Sequence, residues 1–328
     1  MLKARPEDWP YPDWNDLEDI SEGGGISAEI AALNLEVFEF MWSFLQDKRN
    51  PQGFQRILIG SFGAGSLYAS CRKTNFGNYA IGFDGACYLQ LMMAFHRMLS
   101  VNSLLPSYQA NESKYRKLSF PIVVASNILN VFEGDLEAPK ISDRRVALLR
   151  QIVVDAMIFI FLHELAHIKL GHLDYTGSEK RTARLIQSQE HIADIWAISF
   201  YIDMLAESND LDDSLRRLGV AISTVFLIQE LIDKNLPDVK KGEFLINKVY
   251  QSARVRVLYC QYILLRQTSG RDLAKVFRLV LDGMLQAETA WDSLGWERNS
   301  EIPEKMPESF ESVDQFASLF KCPSNMLD

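Results

Sequence analysis

The sequence predicts an α+β fold that is predominantly helical, with a small antiparallel sheet in the N-terminal third. Three observations carry this. Short apolar runs, RILIG (56–60), SLYAS (66–70) and NYAIGF (78–83), are separated by glycine-containing turns, the pattern of short sheet strands. From about Asp84 onward, apolar residues recur at helical spacing over long segments. One continuous apolar stretch, IVVDAMIFIFL (152–162), then runs directly into HELAH (163–167), which places a polar cluster at the end of a buried helix.

Taken in order, residues 1–27 are rich in Pro, Asp, Glu and Gly and read as a flexible arm, although Trp9, Tyr11 and Trp14 within it need cover. The domain proper is expected over 28–293. It begins with a helix over 28–48, followed by the three strands and a helix over 84–103. PIVVASNILNVF (121–132) fits strand or helix equally well. After the breaker-rich EGDLEAPKIS, Ser142 or Asp143 is placed to cap a long helix reaching about His172. Further helices are expected at 181–206, 213–235, 243–267 and 270–293. The apolar face of 218–232 reads as core. Residues 294–328 form an extended tail with one short helix.

Composition narrows the class. Against 34 basic residues stand 43 acidic ones, a formal net charge of −9. That disfavours nucleic acid or an anionic membrane surface as a partner, since both need clustered Lys and Arg. Cys71, Cys87, Cys260 and Cys322 are widely spaced with no Cys-x-x-Cys pair, which fits a reducing cytoplasm better than a disulfide framework. The N-terminus has no apolar signal region, and the apolar run before HELAH is short for a bilayer span and carries Asp155. A soluble, cytoplasmic protein is expected. ILIGSFGAGSL (57–67) has the glycine spacing of a phosphate loop, but Ser66 and Leu67 stand where Lys and Ser or Thr are needed. NDLDDS (209–214) lacks the glycine and final glutamate of a calcium loop.

The chemistry concentrates elsewhere. Four of the five histidines, His163, His167, His172 and His191, fall within 29 consecutive positions, and only His96 stands apart. On a helix, positions i and i+4 lie one turn apart on the same face, so His163 and His167 can grip one cation. Glu164 lies about 100° round the helix, where it can act as general base on a metal-activated water without ligating the metal. Zinc (Zn2+) is the cofactor this pattern implies, with three protein ligands and an open fourth position. Glu190, in EHIAD on the next helix, is the candidate third ligand. Asp194, one turn on, is placed to hold the outer nitrogen of a liganding histidine. His172 is a rival ligand at +9 from His163, but a third histidine at +10 with glycine at +7 finds Leu173 and Leu170 instead. His172 and His191 therefore read as residues behind the ligands, with His191 alternatively facing substrate or solvent. Candidate donors to a developing oxyanion are Tyr175, His172, Tyr250, Arg254 and Arg256. An exposed strand edge for an extended substrate is expected from NYAIGF (78–83) or PIVVAS (121–126).

HELAH followed by Glu190-x-x-Ala193-Asp194 resembles the gluzincin branch of zinc metallopeptidases, a likeness over about 32 of the 328 residues. The resemblance implies a zincin-like fold with an HExxH active-site helix. It assigns His163, His167 and Glu190 to the metal, Glu164 to general-base catalysis and Asp194 to the shell behind. More loosely, HELAHIKLGH and SARVRVLY (252–259) are similar to the phage-exclusion protease (Lit-like) family of cytoplasmic bacterial peptidases, linked to cleavage of a translation elongation factor. Related zincins often carry His-Pro ahead of the later arginine segment, where this chain has Tyr250 and Gln251. The expected function is zinc-dependent endoproteolysis of a protein or peptide substrate, with an activating or inhibitory protein partner in anti-phage defence or stress. The alternative is a non-catalytic regulatory module whose metal site is structural or degenerate. Intact Glu164 speaks against that alternative, because a structural site has no use for a base.

Overall fold

The computed structural model describes residues 28–46, 57–62, 69–74, 78–84, 87–101, 103–108, 117–124, 127–132, 134–136, 140–173, 183–206, 208–235, 256–257, 260 and 271–296. The arm over 1–27, most of the helix expected at 243–267 and the tail beyond 296 lie outside the described residues.

Helix α1 (Ala28–Gln46) precedes strands β1 (Ile57–Phe62), β2 (Ala69–Lys73) and β3 (Tyr79–Asp84). Next come helix α2 (Cys87–Met98), strands β4 (Phe120–Val124) and β5 (Asn127–Val131), and helix α3 (Asp143–Lys169). Helices α4 (Ala183–Leu205), α5 (Leu211–Asn235) and α6 (Arg271–Ser293) complete the order. The predominance of helix matches expectation, and the ambiguous segment 121–132 resolves into an antiparallel hairpin of β4 and β5.

The N-terminal sheet departs from the antiparallel expectation. Its order is β1-β3-β2, with β1 parallel to β3 from Ile57↔Tyr79 to Phe62↔Asp84 and β2 antiparallel to β3 from Ala69↔Phe83 to Lys73↔Tyr79. Burial agrees with this strand order. β3 is buried from Ala80 to Asp84, so it is flanked on both sides, while β2 exposes Arg72 and Lys73 as an edge strand does. β2 also starts three residues later than the SLYAS run suggested.

α3 is the core of the molecule. Every residue from Asp155 to Ile168 is buried, so this stretch is covered all round rather than on one stripe. By length and composition α3 could cross a membrane, but here it is enclosed by α1, α2, α4, α5 and β2. Ser142 takes the N-cap position without a side-chain capping bond, and Asp143 supplies negative charge to the first turn. Buried Arg145 donates to the carbonyls of Leu99, Val101 and Leu104, which satisfies the chain leaving α2.

Asp155, the one acid within the apolar run, joins three helices. It accepts from the Tyr201 hydroxyl of α4 at 2.6 Å and from Arg217 Nε of α5 at 3.2 Å. α5 packs in turn on α6 at a close crossing. A Cβ added at Gly219 would collide with the Val280 carbonyl oxygen, and one at Gly283 with that of Arg216.

Candidate metal centre

The end of α3 carries the histidines as helix geometry requires. His163 Nε2 and His167 Nε2 lie 3.1 Å apart, with ring centroids separated by 4.8 Å. α4 runs antiparallel beside α3, since Glu190 meets His163 near one end and Tyr201 meets Asp155 near the other. Glu190 straddles the pair, with Oε2 at 3.3 Å from His163 Nε2 and Oε1 at 3.4 Å from His167 Nε2. Among the described residues these three form the one cluster whose donor atoms could hold a metal ion.

The donor set fits a divalent cation. Four ligands at zinc's preferred distance of about 2.0–2.1 Å stand about 3.3–3.4 Å from one another. The spacings observed here, 3.1–3.4 Å, are of that order, with the two imidazoles meeting different oxygens of Glu190. Two ring nitrogens and a carboxylate at those spacings bring lone pairs together, so the group needs positive charge between them. By themselves these groups draw in a proton. Burial would push His163 down, but Asp194 and Glu190 outweigh it and raise its pKa to about 10. His167 falls to about 4 through burial and the charge on His163. Glu190 is held to about 2, because His163, His167 and Arg256 override the upward push of burial. A metal bound at this point displaces that proton.

The outer ring nitrogens are also held. His163 Nδ1 sits 2.9 Å from Asp194 Oδ1, close enough for the carboxylate to keep a proton on Nδ1 and leave Nε2 bare for a metal. His167 Nδ1 instead faces His172 Nδ1 at 2.9 Å. Local chain chemistry places His172 there. α3 ends at Lys169 and not at His172, with the His172 N–H bonded to the His167 carbonyl and the Gly171 N–H to that of Ile168. Gly171, at φ 71°, adopts the left-handed conformation that this helix ending demands. The glycine between Leu170 and His172 was the sequence signal for this turn.

Arg256 joins the cluster through its carboxylates. Its Nε and Nη2 donate to Asp194 at 2.9 and 2.6 Å, Nη2 lies 3.6 Å from Glu190, and the guanidinium covers the Phe226 ring at 4.7 Å. It pairs with Asp194 and lies beside Glu190, one of the candidate ligands. Tyr175, Tyr250 and Arg254 lie outside the described residues. His191 is buried, which removes the solvent-facing alternative, and is not among the metal-binding donors. His96 lies on α2, partly buried, and is not among the donors of the cluster.

Glu164 is buried beside the donor triangle without belonging to it. Burial raises its pKa, opposed by the His163 charge and by hydrogen bonds from the Cys71 thiol and the Cys71 backbone N–H. Sequence reasoning did not foresee Cys71, which comes from β2. Of the two runs expected to offer a strand edge, NYAIGF cannot do so, because β3 is paired on both sides. PIVVAS lies in the β4–β5 hairpin, whose β4 packs on α2. The edge that packs against α3, with Cys71 at Glu164, is β2.

Residues 109–236 match a family model described as Peptidase U49. The matched span includes HELAH, His172, Glu190 and Asp194, begins after Cys71 and ends before Arg256. It supports assignment to a peptidase family. Comparison with curated proteins and with solved structures finds no match.

Proposed function

We propose that the protein is a zinc-dependent endopeptidase of the gluzincin type, acting in the cytoplasm on an extended segment of a protein substrate. The observation that carries this reading is a site of three converging ligands, His163, His167 and Glu190, with an unliganded buried carboxylate beside them. A structural zinc is ordinarily closed by four protein ligands and needs no adjacent base.

When bound, zinc supplies Lewis-acid polarisation of a carbonyl and lowers the pKa of water at its open position. The chain supplies the rest. Glu164 takes the proton from the attacking water and passes it to the leaving amine. Asp194 and His172 hold the liganding imidazoles in one orientation, and Arg256 offsets the charge of Asp194 and Glu190. The open edge of β2 offers backbone groups to an extended peptide, which would lie across Glu164. An activating partner, in phage defence or stress, accords with the looser sequence resemblance.

The test is hydrolysis of unfolded casein by the zinc-loaded full chain, beside Glu164→Gln. The variant is expected to hold one zinc per chain and to lose about 10²–10⁴-fold in turnover, the span that a general base contributes. Full activity in Glu164→Gln would falsify the base assignment. Zinc that resists chelation until the chain unfolds would point to a structural site.

A further inference from the structure

We propose that Asp155 and Tyr201 are positioning residues for the candidate metal centre. Their hydrogen bond, with Arg217 beside it, holds α3, α4 and α5 in the alignment that brings Glu190 and Asp194 to the two histidines. The inference rests on the metal reading of His163, His167 and Glu190, and not on the reaction carried out there.

Two layers of contact cross the same three helices. In the first, Asp155 of α3 accepts from the Tyr201 hydroxyl of α4 at 2.6 Å and from Arg217 Nε of α5 at 3.2 Å, one donor to each carboxylate oxygen. Arg217 is held in turn by its own helix, since its Nη2 donates to Ser214 Oγ at 3.0 Å. In the second layer, His163 of α3 meets Asp194 of α4 at 2.9 Å. Arg256, which holds Asp194, covers the ring of Phe226 of α5 at 4.7 Å.

The layers are matched in spacing. From one to the other is eight residues along α3 (155 to 163), seven along α4 (194 to 201) and nine along α5 (217 to 226). At the α-helical rise per residue these steps come to about 12, 10.5 and 13.5 Å, so both layers fit a single alignment of the helices. A slip of one residue between α3 and α4 shifts their side chains by about 1.5 Å and turns them by about 100°, which breaks both layers together.

The chemistry explains why a carboxylate stands inside an apolar run. Apolar contacts between helices are non-directional and allow sliding, whereas a hydrogen bond is satisfied over a narrow range of distance and angle. Buried Asp155 needs donors, and Tyr201 and Arg217 supply them from two different helices. The layer therefore fixes register some 12 Å from the ligands without touching them.

The test measures the metal and not the reaction. The affinity of the full chain for Zn2+ is read by competition with a chromogenic chelator, and the visible bands of Co2+ bound in its place report ligand geometry. Tyr201→Phe keeps the ring and deletes the hydroxyl. It is expected to weaken Zn2+ binding about 10-fold and to shift the Co2+ bands. Trp291→Phe, which trims a buried ring packed on Phe120 and Trp296, is expected to lower stability and leave both readings unchanged. Wild-type Zn2+ affinity in Tyr201→Phe overturns the proposal. An equal weakening in Trp291→Phe also overturns it, because the effect is then lost stability alone. If Tyr201→Phe does not fold, Asp155→Asn decides by the same criteria. A wild type that takes up no Zn2+ overturns the metal reading and the positioning role with it. A wild type that binds Zn2+ but cleaves no casein overturns the peptidase reading alone, and the affinities still decide the role of Asp155 and Tyr201.

Discussion

Arg256 grips Asp194 with two hydrogen bonds, Nε to Oδ2 at 2.9 Å and Nη2 to Oδ1 at 2.6 Å, across 62 residues of chain. Asp194 faces His163 Nδ1 with the same Oδ1 that Arg256 holds. One side of the candidate metal site is thus steadied by a segment remote in sequence from HELAH. The partly buried arginine and the buried Asp194 stabilise each other's charged forms, which holds the aspartate well below its ordinary pKa.

Removing one member of that pair leaves a buried charge without its partner. Arg256→Met is expected to destabilise the fold by about 3–5 kcal/mol and to weaken zinc binding. Chemical denaturation of the metal-free and zinc-loaded chain measures both. A loss under 1 kcal/mol would show that Asp194 does not depend on Arg256.

The two ligand histidines are expected to respond differently to loss of what stands behind them. Asp194→Asn removes a carboxylate charge, whereas His172→Ala removes a ring-nitrogen hydrogen-bond partner. Each is expected to cost about 10–100-fold in zinc affinity, with the aspartate variant the worse of the two. Competition against a chromogenic chelator gives the ranking. Gly171→Ala, strained at its positive φ by about 1–2 kcal/mol, is expected to loosen the turn that delivers His172 and to lower affinity in the same direction.

The pair of His163 and Asp194 gives the metal-free chain a defined pH dependence. His163 is raised to about 10 from 6.5, so its contribution to stability is complete below pH 6.5 and fades as pH rises toward 10. Asp194 is depressed, so its contribution is present above its ordinary value of 3.8 and is lost only as pH falls below it. The stability difference between the wild type and Asp194→Asn, both free of metal, is therefore expected to be greatest between pH 4 and 6.5 and to shrink toward pH 10. Urea denaturation across that range reads it directly, and a difference that grows above pH 7 contradicts the pairing.

The crossing of α5 and α6 is expected to tolerate no side chain at its two glycines. Gly219→Ala and Gly283→Ala each push a methyl group into backbone of the opposite helix and should destabilise by about 1–3 kcal/mol or more. Thermal unfolding checks this, and zinc affinity should hold in whatever fraction remains folded.

The sequence by itself determined the helical dominance and the local geometry of HELAH. Both follow from periodicity, a short-range property that places His163 and His167 on one helix face whatever surrounds them. Glu190 and Asp194 were legible too, because a carboxylate pair one turn apart on the next helix is again a local pattern. Tertiary structure decided what touches those residues. Whether 121–132 was strand or helix rested on pairing between β4 and β5, and the parallel alignment of β1 with β3 rested on their pairing across the chain. The partnerships of Cys71 with Glu164 and Arg256 with Asp194 span 93 and 62 residues. No periodicity reaches so far. Such contacts form because a buried charge must find a donor or counter-charge once water is excluded, and the packed chain alone determines which one stands within reach.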